Sequence, residues 1–288
     1  MTGGVGAAVV NYNAGDHLLA CVRSLRAEGV AEIVVADNGS IDGSADALAA
    51  ADPGVTVLAL GANLGFAVGA NRAVAATSGD AALVLNPDTV VGPGAVAALR
   101  AALDGDPGLA VVGPRVNNPD GSLYPSARRF PALVAAAGHG FLGLVSPRNR
   151  FTRRYRMTDW DHGERRDVDW VAGTAMLVRR SAFDQVGGFD ERYFMYVEDV
   201  DLCWRLRAAG WRVGYEPEAV VVHEIGVSSQ QVPYRMIAAH HRSLYRFAST
   251  TATGTRRALL PAVAAGLALR AVLSCARHRL DHRPPAAR

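Results

Sequence analysis

The chain has 288 residues, of which 50% are hydrophobic and 7% are aromatic. This composition is typical of a globular protein with a core of small aliphatic side chains, and it excludes general disorder. Three widely spaced cysteines, Cys21, Cys203 and Cys275, exclude a disulfide framework and predict a reducing compartment. The first residues lack a basic segment followed by an apolar run, so we expect no export.

Positive charge is concentrated at the C-terminal end. Residues 235–288 contain ten arginines and one acid, Asp281, whereas residues 1–234 contain 20 basic and 26 acidic residues. The body therefore has the charge of an ordinary enzyme, and the tail is expected to meet anions. Its few stacking aromatics, Tyr245 and Phe247, favour membrane lipid or a diphosphate over nucleic acid, which is not an expected partner.

Strands and helices alternate over the first hundred residues. Strands are predicted at 5–12, 32–37, 55–60 and 81–91, with helices at 16–28, 42–51 and 66–77. This alternation predicts an α/β fold with a mostly parallel sheet and helices on both faces. Ligands of such sheets bind beyond the carboxyl ends of the strands. Asn11, Asp37 and Asp88 all fall there, and Asp88 follows a break in the fourth strand at Asn86-Pro87.

The second half of the chain is less regular. Residues 115–170 are rich in arginine, proline and glycine, and a mobile loop is predicted around 147–161. Beyond them, a strand is predicted at 174–180, a short helix capped by Ser181, and one or two strands at 211–224. Two units are expected: residues 1–234, with halves at 1–114 and 115–234, and a helical tail at 235–288.

The tail contains an apolar stretch, 258–276, that approaches the ~20 residues of a membrane span. Arg270 lies well inside it, and a central arginine costs roughly 2.5–3.5 kcal/mol on insertion. A helix lying on an anionic membrane surface is therefore preferred. A C-terminal helix packed on the domain remains the alternative.

Two groups of acids carry the chemistry that the sequence suggests. Asp88 and Asp37 lie at neighbouring strand ends, where a carboxylate suits Mg²⁺ or Mn²⁺ and a bound diphosphate, although each could simply cap a turn. Glu198, Asp199 and Asp201 are crowded behind an aromatic run, at the start of a predicted helix. They could complement the helix dipole, or one of them could be a general base.

Two further residues have alternative interpretations. Trp170 could stack on a sugar ring or belong to the core. His223, at the end of a predicted strand, could be a second metal ligand or a hydrogen-bonded structural residue.

The motifs "VVNYN", "ADNGSIDGS", "GANLGFAVGAN", "LNPD" and "GGFDERYFMYVEDVDLCWRLRAAGW" occur in order, followed by a histidine. Together they resemble the family-two inverting glycosyltransferases of GT-A fold over residues 5–229. "DGSLYPSARRFP" narrows the resemblance to bacterial rhamnosyltransferases, and it is nearest to the actinobacterial cell-wall enzymes that act on polyprenyl-diphosphate-linked N-acetylglucosamine. The expected activity is therefore transfer of L-rhamnose from dTDP-β-L-rhamnose, with inversion, at the inner face of the cell membrane.

The resemblance also implies roles for individual residues. Asp199 would be the general base, tuned by Glu198 and Asp201, and Asp88 with His223 would bind Mg²⁺ or Mn²⁺. Asn86 replaces an acid present in many relatives. Nucleotide-sugar binding would fall to Asn11, Asp37, Asn38, Asn63, Gly65, Asn71 and Asp88. Acceptor binding would fall to Trp170, Gly173 and Tyr196.

Two other functions are compatible with the sequence. The enzyme could transfer another deoxysugar to a polysaccharide or secondary-metabolite acceptor. Alternatively, the chain could be a nucleotide-sugar-binding protein that has lost catalysis, for which Asn86 is the only support.

Overall fold

The computed structural model describes residues 4–130, 146, 149–224 and 233–281. In chain order, its strands are β1 (Val5–Asn11), β2 (Glu32–Asp37), β3 (Thr56–Ala59), β4 (Ala81–Leu85), β5 (Thr89–Val91), β6 (Leu109–Asn117), β7 (Leu123–Tyr124), β8 (Ala127–Arg128), β9 (Arg166–Val168), β10 (Trp170–Val171), β11 (Ala175–Arg179) and β12 (Arg212–His223). The α-helices are α1 (Asp16–Ala27), α2 (Ser44–Ala51), α3 (Phe66–Ala75), α4 (Ala95–Asp104), α5 (Arg150–Arg156), α6 (Arg180–Gln185), α7 (Glu198–Ala208), α8 (Pro233–Thr251) and α9 (Leu260–Asp281).

One central sheet organises the described residues. Its strand order is β3-β2-β1-β4-β11-β6-β12-β5, with β7 and β9 added at β6 and β12. Strands β1 to β4 are parallel, and β12 is parallel to β6, whereas β11 runs antiparallel to both of its neighbours. The predicted α/β class is confirmed, with antiparallel pairs in the second half of the sheet.

Helices cover both faces of this sheet, because alternate side chains of each strand point to opposite sides. On one face, α1 buries Leu18 and Leu25. On the other, α3 contributes Ala70, and α7 contributes Leu202 and Leu206. The small side chains of α3 let it lie close to the sheet, which brings the turn before it to the strand ends.

The irregular region contains more order than the sequence suggests. Arg150–Arg156 form α5 within the predicted mobile loop, because Oδ1 of Asn149 caps its start by accepting from the N–H groups of Phe151 and Thr152. Pro147, also in that prediction, lies outside the described residues. The Ser181 cap is wrong, since α6 begins at Arg180 and no side chain caps it.

The domain boundaries predicted from the sequence cut through continuous elements. The division at 114/115 falls inside β6, and both halves supply strands to one sheet. The division at 234/235 falls inside α8, which buries Phe247 in the core and whose Ser243 hydroxyl donates to the carbonyl oxygen of Met195 at 2.9 Å. The start of the helical extension thus packs on the body.

The extension folds back on itself. After α8 the chain makes a 3₁₀-helix, Gly254–Leu259, and α9 then returns antiparallel to α8, with Arg270 beside His241. Among the described residues, one helical stretch, Gly254–Leu280, has the length and composition to cross a membrane, and none of it is buried. Its outward face exposes Leu269, Val272 and Leu273.

Candidate active site

A cavity of about 1210 Å³ lies beyond the carboxyl ends of β1, β2 and β4. Its walls come from the loops after those strands, from the start of α7, from the end of β12, and from the inward faces of α8 and α9. This is the edge at which a parallel sheet presents its ligands. The C-terminal extension therefore closes one side of the candidate site.

Asp199 lies at the start of α7 and faces this cavity. Its Oδ2 accepts from the N–H of Gly173 at 2.9 Å, and its Oδ1 accepts from the N–H of Val200 at 2.8 Å. Burial raises the pKa of Asp199, although these two N–H groups and the charge of Arg128 lower it. The result is an oriented carboxylate that is more basic than an ordinary aspartate.

Glu198 is the neighbouring acid in the cavity wall, and only 6% of it is exposed. Its Oε2 accepts no hydrogen bond from the residues that the structure describes. Burial, followed by the charge of Asp199, raises its pKa well above the usual range. Because Asp199 is better solvated by backbone N–H groups, Glu198 takes up a proton first as the pH falls.

The backbone that delivers these acids is strained. Tyr196 and Val197 have φ values of 66° and 72°, a left-handed conformation that side chains with a Cβ avoid. Each such residue costs about 1–3 kcal/mol, and strain of this kind is concentrated at functional sites. The turn places Glu198 and Asp199 at the cavity and exposes the Tyr196 ring to the same space.

Two residues predicted to bind the nucleotide sugar, Gly65 and Asn71, support this turn, and neither lines the cavity. A Cβ at Gly65 would lie 2.3 Å from the carbonyl oxygen of Phe194, so only glycine allows that contact. Asn71 bridges to Phe189, donating to its carbonyl oxygen and accepting from its N–H, each at 2.9 Å. Both positions fix the approach to α7 from the side of α3.

Asp201 likewise does not reach the cavity. Its carboxylate pairs with Arg205, at 2.6 Å and one helical turn away, and accepts from the Tyr193 hydroxyl at 3.3 Å. It is buried among these partners. The structure therefore separates Asp201 from Asp199, because two helix positions rotate a side chain by about 200° around the axis, and the pairing with Arg205 holds Asp201 away from the cavity.

The break after β4 leads into β5, and the pairing of β5 with the end of β12 places Asp88 beside His223. Oδ1 of Asp88 lies 3.1 Å from Nε2 of His223, and the Asn86 amide nitrogen lies 3.4 Å from that same nitrogen. Asp88 Oδ1 is buried and accepts no hydrogen bond from the described residues. A carboxylate oxygen in this setting, next to an imidazole nitrogen, suits a divalent cation.

Two protein ligands leave most of a coordination sphere to other groups. The described residues contain no cluster of three or more histidine, cysteine or acidic side chains that could hold a metal ion. Mg²⁺ and similar ions in nucleotide sites are commonly held by one or two carboxylates together with substrate phosphates and water. The pair Asp88 and His223 fits that pattern, with Asn86 beside it.

The polar strand ends at β1 and β2 form a network behind the cavity. The Asn11 amide donates to Oδ1 of Asp37 at 2.8 Å, and the Ser40 hydroxyl donates to the same oxygen at 2.6 Å. Asn11 and Asp37 are buried and do not line the cavity, whereas Asn38 and Asn63 do. The convergence predicted for Asn11, Asp37 and Asp88 thus brings Asp88 alone of the three to the cavity wall.

The acceptor residues predicted from the sequence, Trp170, Gly173 and Tyr196, all line the cavity. Trp170 is 4% exposed and belongs to the core cluster, and its indole N–H donates to the carbonyl oxygen of Arg129 at 2.9 Å. Its face carries the guanidinium of Arg128, 5.0 Å from the ring centroid. The core interpretation of this tryptophan is confirmed, and its stacking on a sugar ring stays a prediction.

Residue-level prediction missed the group around Arg128. The cavity is also lined by Tyr124, Tyr155 and Arg156, and the Arg128 guanidinium donates to the Tyr124 hydroxyl at 2.9 Å. The signal was the segment "SLYPSARRF", which entered only as part of a family motif. That segment contains Tyr124 and Arg128 alone of this group, whereas Tyr155 and Arg156 lie in α5, within the stretch predicted to be a loop.

A sequence profile described as Glycosyl transferase family 2 matches residues 7–187. The chain is 44% identical over 265 residues to the N-acetylglucosaminyl-diphospho-decaprenol L-rhamnosyltransferase of Mycobacterium tuberculosis, which covers 87% of this chain and 86% of that protein. Rhamnosyltransferase WbbL of Escherichia coli is 44% identical over 122 residues, 42% of this chain and 43% of its own.

Among solved structures, a mannosyltransferase from Pyrobaculum calidifontis in complex with GDP-Man and Mn²⁺ matches 96% of this chain and 76% of its own. The TM-score is 0.60 and the sequence identity is 16%. At this identity the likeness concerns the fold alone.

Proposed function

Because the chain belongs to glycosyl transferase family 2 and is thus a glycosyltransferase, we propose that it transfers L-rhamnose from dTDP-β-L-rhamnose to polyprenyl-diphosphate-linked N-acetylglucosamine. The name of the mycobacterial relative, which is similar over most of both chains, supports this substrate pair. The observation that carries the chemistry is the placement of Asp199 in one cavity with Asp88 and His223. Such a cavity can hold a donor and an acceptor together.

In this proposal Asp199 is the general base. The acceptor hydroxyl loses its proton to the Asp199 carboxylate as its oxygen attacks the anomeric carbon, and the bond to the diphosphate oxygen breaks with its electron pair leaving on the nucleotide. A single displacement inverts the anomeric centre and gives an α-L-rhamnoside. The raised pKa of Asp199 makes it a better proton acceptor, and its two backbone hydrogen bonds hold it in place.

Glu198 supports the base without replacing it. A protonated Glu198 would donate to an acceptor hydroxyl and would leave Asp199 as the charged member of the pair, which the stronger upward shift of the Glu198 pKa favours. Asp201 is proposed to act only indirectly, by anchoring the first turn of α7 to Arg205 and Tyr193.

The donor side is proposed to lie against β1, β2 and β4. Asn38 and Asn63 would contact the nucleotide, and the network of Asn11 and Asp37 would hold their loop in shape. Asp88 and His223 would hold Mg²⁺ or Mn²⁺. When bound, the ion would neutralise charge that develops on the leaving diphosphate.

The acceptor is proposed to enter from the side of the C-terminal extension. Trp170, Gly173 and Tyr196 would contact its N-acetylglucosamine, close to Asp199. The exposed apolar residues of α9 and the basic tail would hold the enzyme at the cytoplasmic face of an anionic membrane. This proposal treats residues 235–288 as a membrane-associating part of the same enzyme.

Transfer assays test the proposal directly. Purified protein is given a polyprenyl-diphosphate N-acetylglucosamine acceptor with dTDP-rhamnose or another nucleotide sugar, with and without EDTA. Metal-dependent product from dTDP-rhamnose alone is the expected result. Product from a different donor would refute rhamnose as the transferred sugar. No product with any donor would refute catalysis on this acceptor.

A further inference from the structure

Arginines dominate the charge at the acceptor side of the cavity. Of the described residues, five arginines line it: Arg128, Arg156, Arg235, Arg256 and Arg270. Three of them, Arg128, Arg156 and Arg270, come from different elements and act electrostatically on the same side chain, Tyr155. This convergence is independent of Asp88 and His223, which lie at the strand ends.

The charge of Asp199 acts on Arg128 and offsets part of the positive charge of the three arginines. No carboxylate in the described residues lies within ion-pair distance of Arg128 or Arg156, and Arg270 contacts His241 at 3.2 Å. Partial burial, together with the charge of Arg128, lowers the pKa of Arg156. Like charges gathered in this way favour an anionic ligand, which would relieve their repulsion.

The position of Arg128 is fixed by aromatic contacts. Its guanidinium lies over the rings of Trp170, Tyr124 and Tyr155, at 5.0, 5.5 and 5.8 Å from their centroids. Its Nε donates to the carbonyl oxygen of Pro125 at 2.8 Å. A guanidinium held this firmly is preorganised for phosphate oxygens, because little side-chain freedom is lost on binding.

An apolar wall leads away from these arginines. Leu244 and Phe247 of α8 face Leu260, Val263 and Leu267 of α9 across the same cavity. Arg270 stands at the end of this wall nearest Tyr155. From Leu260 to Arg270 the helix rises roughly 15 Å, at ~1.5 Å per residue. A cluster of cations at one end of an apolar wall is complementary to a diphosphate that carries a hydrocarbon chain.

We infer that Arg128, Arg156 and Arg270 bind the diphosphate of the lipid acceptor, and that the groove between α8 and α9 holds the first part of its isoprenoid chain. The inference rests on the proposed function for the identity of the acceptor. It separates two diphosphate sites, one for the acceptor at the arginines and one for the donor at Asp88. The sugar linked to the acceptor diphosphate would then lie beside Trp170 and Asp199.

Binding without catalysis tests this inference. Calorimetric titration of the full chain with farnesyl diphosphate, in saturating dTDP, is compared with farnesol and with inorganic pyrophosphate. We expect farnesyl diphosphate to bind at least tenfold more tightly than either partial ligand. Arg128→Gln, Arg156→Gln and Arg270→Gln should each weaken it about ten- to hundredfold. Arg154→Gln, on α5 but outside the cavity, is the matched control and should bind normally.

A second pair of variants tests the groove between α8 and α9. Leu267→Asn should weaken the binding of farnesyl diphosphate but leave the binding of inorganic pyrophosphate unchanged. Leu269→Asn, on the outward face of α9, should change the binding of neither ligand. The inference would be overturned if dTDP competes with farnesyl diphosphate and if Arg128→Gln weakens the binding of both ligands equally. These arginines would then belong to the donor site. Unchanged farnesyl diphosphate binding in all three arginine variants would also overturn the inference. Because neither readout requires transfer, a failed rhamnose assay cannot be confused with either outcome.

Discussion

The backbone N–H of Gly173 donates to Oδ2 of Asp199 at 2.9 Å, across 26 positions of the chain. This bond ties the loop after β10 to the first turn of α7 and fixes the direction of the carboxylate. A Cβ at Gly173 would lie 3.5 Å from that of Asp199, so the two segments are already in close contact. The geometry on which the proposed base depends is thus set by a backbone group.

Asp199→Asn should abolish transfer while leaving the fold and donor binding intact. The amide keeps the size of the side chain but cannot accept the proton, and general base catalysis contributes about 10²- to 10⁴-fold. Single-turnover rates and calorimetric titration with dTDP measure the two effects. Asp184→Asn, at an exposed position of α6, is the control. A normal rate in Asp199→Asn would remove this residue as the base.

Asp88→Ala should weaken dTDP binding only when Mg²⁺ or Mn²⁺ is present. The substitution removes the buried carboxylate that would hold the ion, so EDTA should lower the affinity of the unmodified protein but not that of the variant. His223→Ala should act in the same direction. Titration of each protein with dTDP in metal and in EDTA measures this, and an equal metal response in all three would contradict the ligand roles.

The acid limb of the pH profile of kcat/KM should lie above about pH 3.9, the usual pKa of an aspartate. Only ionised Asp199 accepts a proton, so activity falls as the pH drops through its raised pKa. Arg128 lowers that pKa, and Arg128→Gln should therefore move the limb to higher pH. The Arg154→Gln profile should match that of the unmodified enzyme. A limb that shifts to lower pH in Arg128→Gln would contradict this electrostatic coupling.

Glu198→Gln should make the protein more stable at pH 8. The pKa of buried Glu198 is raised in the folded state, so the free energy of unfolding falls as the pH rises from about 4.3, the unfolded value, through the folded pKa. Each unit of upward shift corresponds to about 1.4 kcal/mol. Denaturant unfolding at pH 5 and pH 8 should show this fall, and the variant should lack much of it.

Glu164 offers the control for that measurement. It is exposed, and Glu164→Gln should keep the pH dependence of the unmodified protein. A variant of Glu198 that loses stability at both pH values would mean that the carboxylate is ionised and paired in the folded state.

Substituting the outward face of α9 should release the protein from anionic vesicles. Leu269, Val272 and Leu273 are exposed, and their combined change to asparagine removes the apolar surface that would enter the lipid interface. Cosedimentation with phosphatidylglycerol vesicles should drop, while binding of farnesyl diphosphate in solution persists. Undiminished cosedimentation would show that the apolar face of α9 does not hold the chain at the membrane.

Local pattern was enough to predict much of the fold. The apolar runs at β1, β2 and β4 and the helical spacing of α1 follow from side-chain periodicity, which acts within a few residues. The break at Asn86-Pro87 and the acids at the start of α7 were also visible there. Prediction failed for α5, where one side chain, Asn149, supplies a cap within a segment rich in turn-forming residues.

By itself, the sequence determined the α/β class, the family and the presence of Glu198, Asp199, Asp88 and His223, because residue type and order are local properties. Only the tertiary structure decided which acids share a cavity. It pairs Asp201 with Arg205 and leaves Glu198 and Asp199 in the cavity wall, since two helix positions separate Asp201 from Asp199 by about 200° around the axis. It also brings Arg128, Arg156 and Arg270 from distant segments to one wall. Such contacts depend on packing between elements, which no local pattern encodes.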